Sequence, residues 1–302
     1  VTWRPFGVVM DPVTGARREL DGTVYMVSRD GQRAASPCLR RMSRTQAGYG
    51  VLVPEEQIPS NHGAPSDDGL FVTDVSTGAC DLLCSIDDIV KAVLDPSAYE
   101  RGDFYGFHVK WNPVGDRLMF VLRWVGQEGE KPRNPNAITM RADGSEIAVC
   151  FSDVDWSRGG HHPDWAPDGV TGTINMKLTD DQLSLVRADA DGSNLAAMTT
   201  VPGSGHPSLH PNGQQIVTDV YLHESLAYGD GTTPIRWIDT AEDTEEVLLR
   251  INNDPPFPGD IKQLRIDPHP AWDRSYRYIT FNGCDHGVRR VRFSDESRLA
   301  AL

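Results

Sequence analysis

The chain has 302 residues, of which 39% are hydrophobic, enough to form a substantial core in one large domain or two ordinary ones. It carries 43 acidic and 29 basic residues, a net charge of -14, and this balance disfavours nucleic acid as a partner. No apolar run approaches the roughly 20 residues of a membrane-spanning helix, which disfavours a membrane partner.

The five cysteines are scattered and form no CxxC pair, so neither a disulfide framework nor a thiolate zinc site is indicated. No signal-peptide pattern is present, and the chain begins at Val1. We therefore expect a soluble protein, either cytoplasmic or secreted with its leader removed. The pattern leaves the oligomeric state open.

Strand-like segments begin near the N-terminus. Residues 10–15 are typical of the outer half of a repeat unit, and residues 24–31 followed by 71–74 indicate a further unit. Between the units, Ser85 precedes two acidic residues and an apolar periodic run, which predicts a short helix within residues 85–101.

A histidine begins each of four similar segments. The intervals between these histidines are 54, 44 and 63 residues, near the period of four-stranded propeller blades that carry loop insertions. The sequence therefore predicts an all-β fold, a single β-propeller domain over residues 1–302 with four-stranded antiparallel blades, seven in number with six as the alternative. The four segments are His108-Val-Lys-Trp111, His162-Pro-Asp-Trp165, His206-Pro-Ser-Leu209 and His269-Pro-Ala-Trp272.

Equivalent positions of successive blades converge on the central channel of a propeller. A single histidine at such a position more often caps a strand or bonds a neighbouring blade. Four recurrences favour a functional site at which several blades direct the same chemistry.

The last two histidines have polar companions. Gln263 and Asp267 precede His269, and imidazoles combined with a carboxylate or an amide suit a divalent metal ion such as manganese, zinc or calcium. Asp267 and His269 are separated by one residue, so an extended strand presents both side chains on the same face. We expect this pair to form half of a metal site.

Other side chains suit contacts with an acidic sugar. Arg123 and Arg265 are able to hold a carboxylate by a bidentate contact, although inner-strand arginines also pair with aspartates to lock blades together. Tyr221 is a candidate proton donor or acceptor, with strand packing as the alternative. Trp124 and Trp156 are adjacent to predicted rim loops and are candidates for stacking on a sugar ring.

Three segments resemble the blades of oligogalacturonate lyases and of related propeller polysaccharide lyases that act on ulvan or rhamnose-glucuronate polymers. Residues 24–31, 48–50, 67–74 and 120–124 fit the same group less specifically, so the resemblance spans most of the chain. The segments are His162-Pro-Asp-Trp-Ala-Pro-Asp-Gly169, Gly205-His-Pro-Ser-Leu-His-Pro-Asn-Gly213 and Arg265-Ile-Asp-Pro-His-Pro-Ala-Trp272.

The resemblance implies cleavage of uronate polymers by β-elimination in the central channel, with a metal ion held mainly by histidines. By this resemblance, the metal ligands are His206, Asp267 and His269 with Gln263, and the proton-abstracting base is His162 or His108. The family has histidine where Asp267 stands, and its glutamine lies one residue nearer the histidine pair. These departures favour a harder ion or a different uronate.

Three hypotheses follow. The first is a lyase acting on an acidic poly- or oligosaccharide, in which the cation with Arg123 or Arg265 neutralises the carboxylate, His162 or His108 is the base, and Tyr221 or water protonates the leaving oxygen. The second is a non-catalytic propeller that binds a carbohydrate or a protein. The third is a glycoside hydrolase that uses two carboxylates, for which Asp219 and Asp267 are the candidates.

Overall fold

The structure of the protein is a computed structural model. In the part of the chain that it describes, the fold is all-β, with six sheets of antiparallel strands connected in sequence order. Four sheets have four strands, one has three and one has two. The predicted all-β class is thereby confirmed, whereas seven blades stay a prediction. The described residues are 3–46, 48–127, 134–179, 181–253, 266–273, 275–285 and 288–294.

The first three sheets follow one another along the chain. Strands β1 and β2 form a two-stranded sheet, β3 to β6 the next, and β7 to β10 the third, whose order is β10-β9-β8-β7. Their bounds are β1 Gly7–Met10, β2 Arg17–Leu20, β3 Met26–Val27, β4 Arg33–Ser36, β5 Gly69–Asp74, β6 Cys80–Ser85, β7 Gly102–Trp111, β8 Arg117–Gly126, β9 Asn134–Arg141 and β10 Ala148–Phe151.

The remaining sheets comprise β11 to β14, β15 to β18, and β19 to β21. The strands that come first in the last two sheets, β15 and β19, have only two residues each. The bounds are β11 Gly160–Trp165, β12 Thr171–Met176, β13 Ser184–Asp189, β14 Ala196–Pro202, β15 Ser208–Leu209, β16 Gln215–Thr218, β17 Thr232–Asp239, β18 Thr244–Asn252, β19 Ala271–Trp272, β20 Ile279–Asp285 and β21 Val288–Ser294.

The turn between β7 and β8 shows how the repeated sequence produces a hairpin. The side-chain Oδ1 of Asn112 accepts hydrogen bonds from the backbone N–H groups of Gly115, Asp116 and Arg117. Gly115 has φ of +83°, a left-handed conformation that glycine adopts without steric cost. An asparagine before Pro-x-Gly therefore closes the hairpin by local hydrogen bonding.

Helix is a minor component of the described residues. The helix α1 spans Ile86–Val93, and the Ser85 hydroxyl accepts the Asp88 N–H at 3.0 Å, which confirms the helix predicted there. A second short helix, α2, spans Asp153–Trp156. Single 3-10 turns occupy Met42–Arg44, Glu55–Gln57 and Pro96–Tyr99. No helix among these has the length and apolar character needed to cross a membrane.

The chain divides into two compact units. Unit 1 holds the sheets from β1 to β10, and its core packs α1 against apolar residues of β5 and β7 to β9. Unit 2 holds most of the β11–β14 sheet and the two sheets that follow, with smaller apolar clusters around Ile216 and Val217. Unit 1 comprises Val1–Ser157, Gly169–Gly172 and Ala188–Asn194, and unit 2 comprises Arg158–Asp168, Thr173–Arg187 and Leu195–Leu302.

Candidate functional site

Three of the predicted metal ligands come together in unit 2. His206 precedes β15 by two residues, and Asp267 and His269 lie just before β19. Their ligand atoms, one from each side chain, all lie within 4.8 Å of one another. His206 is buried, Asp267 is partly buried and His269 is exposed, so the group has one solvent-facing side. We call these three residues the His-Asp-His cluster.

The donor set of the His-Asp-His cluster fits a divalent transition-metal ion. Imidazole nitrogens bind such ions at about 2.0–2.1 Å and carboxylate oxygens at about 2.0–2.2 Å, so the ligand atoms of one ion lie a few ångströms apart. The rings of His206 and His269 are stacked, with centroids 3.4 Å apart. Calcium instead takes six to eight oxygen ligands, so two imidazoles favour manganese or zinc.

A buried carboxylate lies behind two of the cluster's histidines. Asp219 directly follows β16 and is 1% exposed. Its Oδ1 accepts the backbone N–H of His206 at 2.5 Å, and its Oδ2 accepts the backbone N–H of His269 at 3.0 Å. The ring Nδ1 of His206 lies 2.9 Å from Oδ2 and 3.0 Å from Oδ1.

The environment of Asp219 keeps its carboxylate ionised. Burial alone raises the pKa of this group, but hydrogen bonds from the ring and backbone of His206, electrostatic attraction to that ring and the His269 N–H outweigh burial, and the pKa is lowered. A negative charge is therefore held behind the cluster, where it favours binding of a cation.

A histidine-tyrosine pair adjoins the cluster. The Tyr221 hydroxyl lies 2.6 Å from Nε2 of His162, in β11, and 3.2 Å from Nε2 of His206. The ring centroids of His162 and His206 are 4.1 Å apart. Two candidate acid-base groups thus contact each other and one of the candidate metal ligands.

The backbone is left-handed at two histidines of this site. His162 has φ of +60° and His269 has φ of +47°, and each precedes a proline. Residues other than glycine adopt such angles infrequently and at a cost of about 1–3 kcal/mol each, and they occur in turns and at functional sites. The equivalent left-handed angle in the His206 segment falls on Gly205, one residue earlier.

The two other predicted catalytic residues lie in unit 1. Nδ1 of His108, in β7, is hydrogen bonded to the Tyr25 hydroxyl. The guanidinium of Arg123, in β8, lies 3.2 Å from the centre of the Phe107 ring and donates to Oε1 of Gln46 at 3.0 Å.

Burial and two neighbouring positive charges, Arg123 and Lys110, lower the pKa of His108 to about 3. Burial also raises the pKa of its partner Tyr25, an effect that the Tyr49 phenol reinforces. Both groups of this pair are therefore neutral near pH 7.

The two tryptophans predicted to stack on sugar are core residues. Trp124 and Trp156 are each 7% exposed, and the indole N–H of Trp124 donates to the Tyr99 carbonyl. Their burial hides the ring faces that stacking needs. Gln263 and Arg265 lie outside the described residues.

Sequence reasoning missed the partners of the predicted histidines. Asp219 was considered as a catalytic carboxylate, whereas its oxygens face His206 and His269. Tyr25 and Tyr49 lie in residues 24–31 and 48–50, two of the segments that fit the family resemblance. Tyr49 is 37% exposed and lies edge-on to His108, so more of its ring is open to stacking on a sugar than that of either tryptophan.

No protein-family model and no curated protein matches the chain. Among solved structures, it is similar to TolB from Acinetobacter baumannii, with 12% identity and a TM-score of 0.53 over 96% of this chain and 60% of that one. It is also similar to an oligogalacturonate lyase in complex with manganese, with 14% identity and a TM-score of 0.44 over 98% and 97% of the two chains.

A puromycin hydrolase shares 15% identity, with a TM-score of 0.49 over 97% of this chain and 40% of the hydrolase. The chain thus spans less than two thirds of the length of the TolB structure and less than half of the hydrolase. Identities this low show the fold alone, and the similarity to TolB places the chain among proteins with a propeller fold.

Proposed function

We propose that the protein is a metal-assisted polysaccharide lyase that cleaves a uronic-acid-containing poly- or oligosaccharide by β-elimination. The observation that carries the proposal is the contact between the His-Asp-His cluster and the acid-base pair of His162 and Tyr221. A candidate cation site and candidate proton-transfer groups within hydrogen-bond reach of each other are what this reaction requires.

In the reaction, the C5–H bond next to the uronate carboxylate breaks and a C4=C5 double bond forms. The bond from C4 to the glycosidic oxygen breaks, and this oxygen leaves with a proton. Proton removal needs a base and departure of the oxygen needs an acid, while the carboxylate must be neutralised to make the C5 proton acidic. The first two requirements fall on side chains of this chain.

His162 is the better base of the two histidines proposed from the sequence. The pKa of His108 is lowered to about 3, and a neutral imidazole that holds a proton so weakly gives little driving force for abstracting one from carbon. His162 instead has a tyrosine hydroxyl on its Nε2 and lies beside the candidate cation site. We assign proton abstraction to His162.

Tyr221 is the group that protonates the leaving oxygen. At 2.6 Å from His162 Nε2, its hydroxyl can give a proton to the departing oxygen and regain one from the imidazolium formed by the abstraction step. The proton taken from C5 is thus returned through the pair, and atoms and charge balance without another reactant.

His206, Asp267 and His269 would hold the metal ion. When bound, it would neutralise the substrate carboxylate and make the C5 proton more acidic. Manganese or zinc fits the donor set, and the oligogalacturonate lyase structure that contains manganese concerns a different protein. The prediction that Arg123 contacts the substrate carboxylate is a separate one, testable with Arg123→Lys, which keeps the charge and loses the bidentate geometry.

The test is incubation of the protein with polygalacturonate, ulvan and rhamnose-glucuronate polymers, each with added manganese or zinc and with a chelator. We expect ultraviolet absorbance from unsaturated uronate on at least one polymer, lost with the chelator and restored by the metal. The His206→Ala variant is the matched control for the metal requirement. If folded, metal-loaded protein gives no absorbance on any polymer, the lyase proposal is overturned. That result would favour the hypothesis of a non-catalytic propeller that binds a carbohydrate or a protein.

A further inference from the structure

We propose that Asp219 is a positioning residue: it selects the ring nitrogen with which His206 binds a metal ion and thereby sets the cation affinity of the His-Asp-His cluster. The inference rests on the proposed metal site, but it does not require lyase activity. Asp219 itself contributes no ligand atom to that cluster.

The selection follows from the hydrogen-bonding capacity of a carboxylate. Both oxygens of Asp219 accept a backbone N–H and therefore act as acceptors, so the His206 Nδ1 that lies 2.9 Å from Oδ2 carries the hydrogen. A neutral imidazole carries one ring hydrogen, which leaves the Nε2 lone pair on the side of His162 and Tyr221. Metal ligation by Nε2 is thus prepared before an ion arrives.

The phenol of Tyr221 is compatible with this assignment. It lies 2.6 Å from His162 Nε2 and 3.2 Å from His206 Nε2, and its single hydrogen serves one of the two rings at a time. The contact with His206 Nε2 is the longer of the two, so a cation can replace it while the phenol keeps its hydrogen bond with His162 Nε2.

Asp219 also connects the two histidine segments. The His206 N–H and the His269 N–H, which precede β15 and β19 in two different sheets, donate to its two oxygens. The second bond holds His269 at its left-handed φ of +47°. One carboxylate therefore fixes the ring orientation of one candidate ligand and the backbone of another.

Asparagine is the most informative replacement, because it has the same shape and only one acceptor oxygen. Each oxygen of Asp219 receives a backbone N–H, so an amide NH₂ at either position meets an N–H donor directly. Neither orientation of the amide satisfies the donors around it. If the amide donates to Nδ1, His206 must carry its hydrogen on Nε2, the atom needed for the metal.

The first measurement uses the metal-free wild-type protein and the nitrogen chemical shifts of its histidine rings. We expect His206 with hydrogen on Nδ1, and an Nε2–H ring in the wild type would overturn the proposal. This measurement needs no variant and no bound ion, so it decides the role of Asp219 even if the protein binds no metal, in which case the proposed function fails by itself.

The second measurement is titration of wild type, Asp219→Asn and Thr218→Val with manganese and with zinc. Loss of an outer hydrogen-bond partner typically costs about 10–100-fold in metal affinity, and we expect that loss for Asp219→Asn. Thr218→Val is the matched control, because its hydroxyl donates to the carbonyls of Ser204 at 2.7 Å and Asp219 at 3.4 Å, and neither bond involves a histidine or the Asp219 carboxylate.

The control separates positioning from general weakening of the fold. Equal losses of metal affinity in Asp219→Asn and Thr218→Val at equal thermal stability would overturn the proposal, as would wild-type affinity in Asp219→Asn. If Asp219→Asn fails to fold, the ring spectrum of the wild type still decides between the two tautomers.

Discussion

At the residue scale, a variant can test the acid-base roles that we propose for His162 and Tyr221. His162 has a left-handed φ of +60°, and asparagine tolerates this conformation better than alanine does. We expect His162→Asn to lower kcat by about 10²–10⁴-fold, the usual contribution of a positioned acid or base, with little change in melting temperature. Steady-state kinetics with thermal unfolding measures both.

Two companion variants sharpen this prediction. Tyr221→Phe removes the hydroxyl and keeps the ring, so we expect a loss of kcat with KM nearly unchanged. His210→Asn removes an imidazole that packs on Trp272 and Tyr276 and should leave kcat unaltered. Full turnover in His162→Asn would show that another group is the base.

The buried His108 side chain should make the free energy of unfolding depend on pH. Its pKa is lowered from 6.5 to about 3 in the folded protein, so between these values the unfolded chain binds a proton that the folded chain does not. Its contribution to the free energy of unfolding is present above pH 6.5 and is lost as the pH falls toward 3. His108→Gln should therefore reduce the slope of stability against pH by up to about 1.4 kcal/mol per pH unit.

Denaturant unfolding between pH 6.5 and pH 4 measures this slope. His223→Gln is the matched loss of one imidazole elsewhere, and its slope serves as the reference. Identical slopes for His108→Gln and the wild type would show that His108 is protonated in the folded protein at mildly acidic pH.

Single residues also show the limit of reading a site from the sequence. The repeat placed His206, Asp267 and His269 together, because residues at one register of a repeated unit converge. It gave no sign that Asp219 faces two of those histidines, since that contact depends on where β16 ends. It also could not distinguish His108 from His162, because the difference lies in burial and in neighbouring charges.

At the scale of elements, the turn that precedes His206 allows a test of how tightly the backbone packs against Asp219. Gly205 has φ of +56°, and a Cβ there would lie 2.2 Å from both the backbone oxygen and Oδ1 of Asp219. Gly205→Ala should therefore lower the free energy of unfolding by about 1–2 kcal/mol, the cost of a left-handed alanine. Displacement of the Asp219 carboxylate should lower it further.

Gly213 provides the control for this prediction. It has φ of +76° and no atom within 4 Å of a built Cβ, so Gly213→Ala carries the conformational cost alone. Denaturant unfolding of the two variants gives the difference, and metal titration should be altered only in Gly205→Ala. Equal destabilisation of both variants would mean that the Asp219 carboxylate moves aside freely.

The elements themselves were partly predictable. Asn112 before its Pro-x-Gly sequence closes the β7–β8 hairpin and the Ser85 cap begins α1, and both signals act within a few residues. The predicted stacking surfaces of Trp124 and Trp156 are instead buried, and a burial of this kind depends on contacts between segments that are distant in sequence. Tyr221 lies three residues beyond β16 rather than on it.

At the scale of the whole molecule, the net charge of -14 acts on the approach of an acidic polymer. Repulsion between exposed charges extends about 30 Å at 0.01 M ionic strength and about 8 Å at 0.15 M. We expect KM for a uronate polymer to fall across this range of salt while kcat stays constant. Kinetics at several ionic strengths, with a methyl-esterified polymer as the neutral control, measures the effect.

A rise of KM with salt would contradict this prediction. It would mean that positive groups which the substrate meets locally outweigh the net charge of the molecule. The comparison thus tests whether the approach of substrate is governed by the charge of the molecule or by local cations.

The sequence predicted a fold built of repeated antiparallel sheets, but it predicted the number of blades less well. A repeat of 44 to 63 residues indicated blades, and the described residues form six antiparallel sheets. Seven blades and one domain over residues 1–302 stay predictions, because blade number is set by closure of the ring and degenerate terminal units carry little pattern.

The two backbone amides that donate to Asp219 have a consequence for hydrogen exchange. His206 and His269 both lie outside the strands, where amide hydrogens usually exchange with solvent quickly. Because a buried carboxylate accepts both, these amides should exchange as slowly as those of the adjacent strands and on a common timescale. Protection of both amides on one timescale would show that the two segments held by Asp219 open together as one cooperative unit.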